Sequence, residues 1–406
     1  LEIVELREFD QKEIFLPSID VEVLIKYFSK KIDLIPTFEP GKYLLKTQNH
    51  AGIIKLPSGR SILINPKIKI STLFALLARV YDPKKEIFDD QPNEYSTISG
   101  VFEFIISFFI SHVEDLISRG LLRGYQNHTE YSQSIRGRIL MAQTLSNRPG
   151  LYDKHWCEYR HFTPDIPENQ ILCWTVHVLS AWNFVDINLF ARIYRLQRIL
   201  SNVYLDHNAR YLLDSIEFHR LNDTYKPALS LARLILDYFS FSGSQGVEPF
   251  LAFLIDMNSL FEQYITVELE DKLKTSEYKI KDKENHTLDI GKQIKLIPDI
   301  LIYKNENPCL IVDAKYKLVE SQNDLYQMLA YCHAVKLSQA VLVHPESETA
   351  PKNSLLIRGP GNIKISYLAL NLDGGPDQLS VQSEILVNKL FEILKTVQFE
   401  DLSMVQ

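Results

Sequence analysis

Residues 298–317 read Pro298-Asp299-Ile300-Leu301-Ile302-Tyr303-Lys304-Asn305-Glu306-Asn307-Pro308-Cys309-Leu310-Ile311-Val312-Asp313-Ala314-Lys315-Tyr316-Lys317. Two β-prone apolar runs flank a short polar turn, Asn305-Glu306-Asn307, and this pattern predicts a β-hairpin. A turn centred on Glu306 sets Asp299 opposite Asp313, where Cβ atoms stand about 4.5–5.5 Å apart and like charges repel. Two carboxylates so placed cost stability unless a cation holds them. Strand alternation puts Asp313, Lys315 and Lys317 on one face and Val312 and Ala314 on the other. Lys315 therefore points to the carboxylate side, while Lys317 reads as a solvated strand-end charge.

A hard divalent ion such as Mg²⁺ takes oxygen ligands and keeps several waters, so two aspartates supply a partial shell with room for a substrate phosphate. A neighbouring lysine can orient the attacking water or stabilise charge developing on the scissile phosphate. The expected layout is a hydrolytic phosphodiesterase, with Asp299 and Asp313 as metal ligands and Lys315 as electrostatic stabiliser. A helix expected over 323–336 adds Asp324, Gln327 and Tyr331 on one face, at i, i+3 and i+7. Gln327 is expected to position, with Tyr331 and Asp324 in support. Glu262, in the apolar stretch Leu260-Phe261-Glu262-Gln263-Tyr264, is either a further carboxylate ligand or an ordinary buried, hydrogen-bonded one. A bare Asp-x-Lys in a strand is more often an ion pair at a sheet end, but the opposed Asp299 and the helical Gln327 and Tyr331 favour the site.

Around this hairpin the chain reads as a multidomain α+β or mixed α/β protein. Short β runs at 1–7, 43–47, 52–56 and 61–64 predict a small β-rich N-terminal domain over 1–70. Helical spacing at 71–80, 101–118, 169–182, 189–203 and 227–239 predicts a mostly helical middle domain over 71–241. The small-residue stretch Ser242-Gly243-Ser244-Gln245-Gly246 marks the main boundary. A third domain over 247–406 opens with a long helix from 249 to about 273. Strands at 278–283, 294–303 and 309–317, the 323–336 helix and a strand at 339–344 follow, giving the order α-β-β-β-α-β. A strand at 363–370 and a helix over 379–397 close the chain.

The hairpin and helix residues resemble the PD-(D/E)xK nuclease superfamily, with Pro298-Asp299 as the PD and Asp313-Ala314-Lys315 as the DxK. Gln327-Met328-Leu329-Ala330-Tyr331 is similar to the Q-x-x-x-Y motif of its RecB-like branch. The fuller string Ile311-Val312-Asp313-Ala314-Lys315-Tyr316, followed by Asp324-Leu325-Tyr326-Gln327, resembles the McrC family of McrBC-type modification-dependent restriction systems. Upstream, Arg119-Gly120-Leu121-Leu122-Arg123-Gly124-Tyr125, Ile135-Arg136-Gly137-Arg138-Ile139 and the run 252–262 extend the resemblance over roughly residues 65–375. It implies an endonuclease subunit that cuts DNA with Mg²⁺, or with Mn²⁺ in its place, without choosing the site itself. It further implies a separate AAA+ GTPase ring, McrB-like, that binds GTP, reads modified double-stranded DNA and has its hydrolysis stimulated by this subunit. Dimerisation through the nuclease domain is a further expectation.

Composition agrees with delegated recognition. With 46% hydrophobic and 23% charged residues the 406-residue chain is ordinary globular material, and its net charge of −7 gives no global field toward DNA. One stretch departs from this. Between 119 and 160 lie Arg119, Arg123, Arg136, Arg138, Arg148, Lys154 and Arg160 against Glu130, Asp153 and Glu158. This basic island suits DNA contact, docking on a partner, or a solvated face, and a structural or partner role is preferred. The four cysteines are too scattered for a disulfide framework, a zinc site or an iron–sulfur cluster, and no histidine pair has zinc spacing. No phosphate-binding loop of the Gly-x-x-x-x-Gly-Lys-Ser/Thr kind occurs, so GTP is expected on another chain. The apolar run at 101–113 carries Glu103 and His112 and is too short to span a bilayer. Residues 1–16 lack an export signal, so a cytoplasmic setting without membrane contact is expected, and the resemblance implies a prokaryotic one. Two rivals stand beside the restriction nuclease: a non-catalytic regulatory subunit of an NTPase ring, and a repair or RNA-directed nuclease of the same fold.

Overall fold

The hairpin is present in the computed structural model, with Ile300–Lys304 antiparallel to Asn307–Ala314. The structure describes residues 2–82, 97–147, 153–182, 187–242, 250–274, 276–289, 291–317, 322–347, 354–358 and 362–403. The turn holds two residues rather than three: Lys304 pairs with Asn307, and Asn305 and Glu306 take left-handed φ values of 48° and 63°. That geometry matches the twist of two tightly joined strands. A bulge then shifts the register between Ile302 and Tyr303, restoring the Ile300–Val312 pairing. One residue further on, Asp299 faces Asp313.

This hairpin lies in a six-stranded mixed sheet, ordered Tyr278–Asp282, Ile300–Lys304, Asn307–Ala314, Gln339–Pro345, Ile363–Leu370, Leu355–Ile357. Asn307–Ala314, Gln339–Pro345 and Ile363–Leu370 run parallel, and the other pairings are antiparallel. Helix Gln322–Val335 supplies the crossover between the first two parallel strands and packs Met328, Tyr331 and Cys332 on Leu301, Ile311, Leu342 and Ile365. Helices Met257–Leu273 and Pro376–Ser403 also contact the Asn307–Ala314 strand, whose last five residues are all buried. Strands buried on both faces read as continuous apolar runs, as Leu310-Ile311-Val312 does.

The expected helix from 249 to 273 is corrected. Phe250–Asp256 is a strand, antiparallel to His50–Lys55, and only Met257–Leu273 is helical. Phe250-Leu251-Ala252-Phe253-Leu254-Ile255 is apolar at every position, so periodicity cannot separate a central strand from a buried helix. The helix start is set by Asp256, whose carboxylate accepts from the backbone N–H groups of Asn258 (3.0 Å) and Ser259 (3.2 Å) and from Asn49 Nδ2 (2.7 Å). Asp256→Ala is expected to lower stability by about 1–2 kcal/mol in denaturant titration, mainly through the lost cap.

That strand lies in a five-stranded sheet that includes Ile3–Arg7, Ser61–Asn65 and His50–Lys55. The chain forms two compact units, Leu1–Val101 with Ser240–Gln406, and Phe102–Phe239. The first unit's second core sets Leu24 and Phe28, from an unforeseen helix Ser18–Phe28, against Ile54, Ile62, Phe250 and Leu254. Most of the boundary stretch 242–246 lies outside the described residues. The second unit is mainly helical but also holds a three-stranded antiparallel sheet of Gly124–Ser132, His155–Thr163 and Arg138–Ile139. The two long strands escape a period-two reading because both faces mix polar and aromatic residues. Gly137 has φ 68°, and a Cβ there would stand 2.4 Å from the Glu158 carbonyl oxygen, so the two backbones approach closely at this point. Among the described residues no helix is long and apolar enough to cross a membrane.

Candidate active site

Asp313, on the last turn of pleat before its strand ends at Ala314, is fully buried. Lys315 Nζ stands 2.8 Å from Asp313 Oδ2 and 3.9 Å from Asp299 Oδ2. Asp299 Oδ2 also accepts from the Ala314 backbone N–H at 3.0 Å, so the two carboxylates are braced across the strand ends. Neither oxygen of Asp313 receives a well-aligned hydrogen bond. Lys315 is the counter-charge to this carboxylate. Burial, then the Asp313 charge, pushes Asp299 up to about 7, and burial likewise raises Asp313. For Lys315 burial works against the charged form, but Asp313 and Asp299 outweigh it and raise its pKa. The lysine is thus cationic at neutral pH, whereas the metal-free aspartate pair resists carrying two charges.

The helix Gln322–Val335 brings its three residues to the same region in different ways. Gln327 Nε2 donates to Tyr331 Oη (2.7 Å), and Tyr331 Oη donates to the Ile297 carbonyl (3.0 Å), tying the helix to the chain entering Asp299. Tyr331→Phe removes both bonds and is expected to cost about 1–2 kcal/mol in thermal or urea unfolding. Asp324 is buried and pairs with Lys317 Nζ at 3.0 Å. Lys317 is therefore not a merely solvated charge: its backbone N–H bonds the Lys315 carbonyl in a tight turn past the strand end, which carries its side chain to the first helical turn.

Glu262 lies beside this group, mostly buried on helix Met257–Leu273, with its Oε1 3.1 Å from Lys283 Nζ. Burial and then the Asp299 charge raise its pKa. Lys283 went unnoticed in the sequence. Its signal was the register of Tyr278–Asp282 on Ile300–Lys304, which pairs Asp282 with Ile300 and leaves Lys283 donating its N–H to the Asp299 carbonyl (3.1 Å). Among the described residues no three His, Cys, Asp or Glu side chains converge tightly enough to cage an ion. The donors present, two adjacent carboxylates with orphaned, buried Asp313 oxygens, fit a hard cation that keeps most of its own waters.

The arginines of the basic island lie in the second unit, exposed and apart from one another in role. Arg119 pairs with Asp115 at 2.8 Å, Arg136 stacks 6.0 Å above the Tyr159 ring, Arg138 sits on the edge strand beside Glu158, and Arg123 is exposed. Arg148 lies outside the described residues.

With this geometry in hand, residues 45–345 match a family profile described as the McrBC 5-methylcytosine restriction system component. The chain belongs to the McrBC family. Its fold is similar to a chain of a Thermococcus gammatolerans structure described as a refined half-complex from a tetradecameric assembly of McrB AAA+ hexamers with bound McrC. The TM-score is 0.55 at 16% identity, covering 96% of this McrBC-family chain and 100% of that one. A second, the cryo-EM structure of the Thermococcus gammatolerans McrBC complex, is similar at TM-score 0.42 and 18% identity over 66% of this chain and 87% of that one. No curated protein matches the sequence. The family resemblance read from residues 119–139, 252–262 and 311–327 is thus met.

Proposed function

We propose that this McrBC-family chain is the DNA endonuclease subunit of its restriction system, built on a PD-(D/E)xK centre. The observation that carries the reading is the fully buried Asp313 carboxylate, orphaned of aligned hydrogen bonds, facing Asp299 and touching Lys315. Asp299 and Asp313 would hold Mg²⁺, with Mn²⁺ as a substitute and Glu262 in reach of an outer water. When bound, the ion supplies Lewis acidity and a nucleophilic water for in-line phosphodiester hydrolysis. Lys315, held cationic by its two partners, stabilises charge on the non-bridging phosphate oxygens. Gln327 and Tyr331 fix the strand entry at Ile297, and Lys317 with Asp324 fixes its exit, so the reacting groups are held from both ends.

The partner is an AAA+ GTPase ring, McrB-like, which binds GTP and reads modified double-stranded DNA while this subunit stimulates its hydrolysis. The exposed Arg119, Arg123, Arg136 and Arg138 belong to the unit that would dock there or touch DNA, and two nuclease domains would pair for double-strand cutting. Such an assembly works in the prokaryotic cytoplasm. The test is plasmid cleavage by the chain with the AAA+ GTPase encoded beside it, GTP, and either Mg²⁺ or excess EDTA. Cutting only with metal, GTP and partner is expected. Stimulated GTP hydrolysis with no cutting under any metal would favour the regulatory-subunit reading instead.

A further inference from the structure

Immediately past Lys315 the first unit opens into a cavity of about 420 Å³, in the range of small-molecule sites. Its wall includes Phe9, Tyr316, Lys67, Lys317, Glu346 and Asp373. We propose that this cavity takes an unstacked nucleobase of the substrate strand, next to the scissile phosphate. The inference rests on the phosphodiesterase reading of Asp299, Asp313 and Lys315, and adds a base-binding subsite to it.

Position comes first. Tyr316 and Lys317 follow Lys315 directly, and two residues of extended chain span at most about 7 Å. A base one or two nucleotides from the reacting phosphate reaches that far. The wall chemistry comes second. Phe9 and Tyr316, with Pro345 and Leu372, offer the apolar contact that any base face accepts, and the carboxylates Glu346 and Asp373, which balance Lys67 and Lys317, offer acceptors for the N–H groups on a base edge. Lys67 Nζ already stands 4.5 Å from the centroid of the Phe9 ring.

Phe9 supplies an independent observation. It lies between strands Ile3–Arg7 and Gln11–Phe15 at φ 60°, a left-handed conformation that bulky side chains avoid. A glycine or asparagine would satisfy that turn more easily, yet the ring is there, half exposed at 52% and facing the cavity. Strained residues held in place by their surroundings concentrate at ligand clamps. The neighbouring Glu8 is buried, accepts from the Lys67 backbone N–H at 2.9 Å and lies 3.4 Å from Tyr316 Oη, so it fixes two walls of the cavity to each other.

The experiment is photocrosslinking of the full chain to single-stranded oligonucleotides carrying one 5-iodouracil, in EDTA so that no cleavage is required, with the adduct mapped by peptide mass spectrometry. Adducts at Phe9 or Tyr316 are expected. Phe9→Gly, which suits the left-handed turn and removes the ring, should lower their yield about fivefold or more, and Phe9→Leu should lie between. Adducts elsewhere alone, no adduct, or a yield indifferent to Phe9→Gly would overturn the proposal. Cleavage of plasmid by the same wild-type preparation with its partner separates the two claims: adducts without cutting keep the subsite and remove the nuclease reading, and cutting without adducts does the reverse.

Discussion

Asp313→Asn is expected to lower metal-dependent DNA cleavage on the order of 10³-fold, because an amide offers the ion a neutral and weaker ligand where charge stabilisation matters most. The same change is expected to raise the stability of the metal-free chain at pH 8 by about 1–3 kcal/mol, since it removes one of two opposed carboxylates and leaves Asp299 to balance Lys315. Loss of function with gain of stability separates a functional carboxylate from a structural one, which would lose both. Cleavage assays and urea unfolding in EDTA, run on one preparation, check the pair of effects.

Lys315→Ala carries the second large effect, in the opposite direction for stability. Lys315 is the cation that touches Asp313 and lies within 3.9 Å of Asp299, so its removal leaves two buried carboxyls without a counter-charge. Cleavage should fall on the order of 10²–10³-fold, and the metal-free protein should lose about 3–5 kcal/mol at pH 8. The pH dependence follows from Asp299, raised from 3.8 to about 7 in the folded state. Between those values the folded chain holds a proton that the unfolded chain has released. Its stabilising contribution is therefore complete below about pH 4 and is lost as pH rises through 7. Wild-type thermal midpoints in EDTA should fall across that window, more steeply in Lys315→Ala and less in Asp313→Asn. Millimolar Mg²⁺ should flatten the wild-type curve by binding the ionised pair.

Much of the site was legible in one hairpin, because strand register and side-chain alternation are both set by local geometry. Even so, the turn holds two residues where the sequence predicts three, and the bulge near Tyr303 compensates, bringing Asp299 opposite Asp313 by a different route. Gln327 and Tyr331 were placed by helical spacing, but spacing could not show that they bond to each other and to Ile297 rather than to Lys315. Lys317 and Lys283 were missed for the same reason: their partners, Asp324 and Glu262, lie on other elements, and ion pairs between elements leave no periodic trace. The strand Phe250–Asp256 was hidden by its uniform apolarity, and with it the placing of the N-terminal sheet in the same unit as the opposed aspartates.

The measurement that bears most directly on the opposed aspartates is Mn²⁺ titration of the full chain at pH 8, followed by electron paramagnetic resonance, with Asp313→Asn alongside. A saturable bound Mn²⁺ signal is expected in the wild type, one that Mg²⁺ displaces and Asp313→Asn abolishes. Equal Mn²⁺ binding by the variant, or none by the wild type, would contradict the assignment of Asp299 and Asp313 as the metal-holding pair.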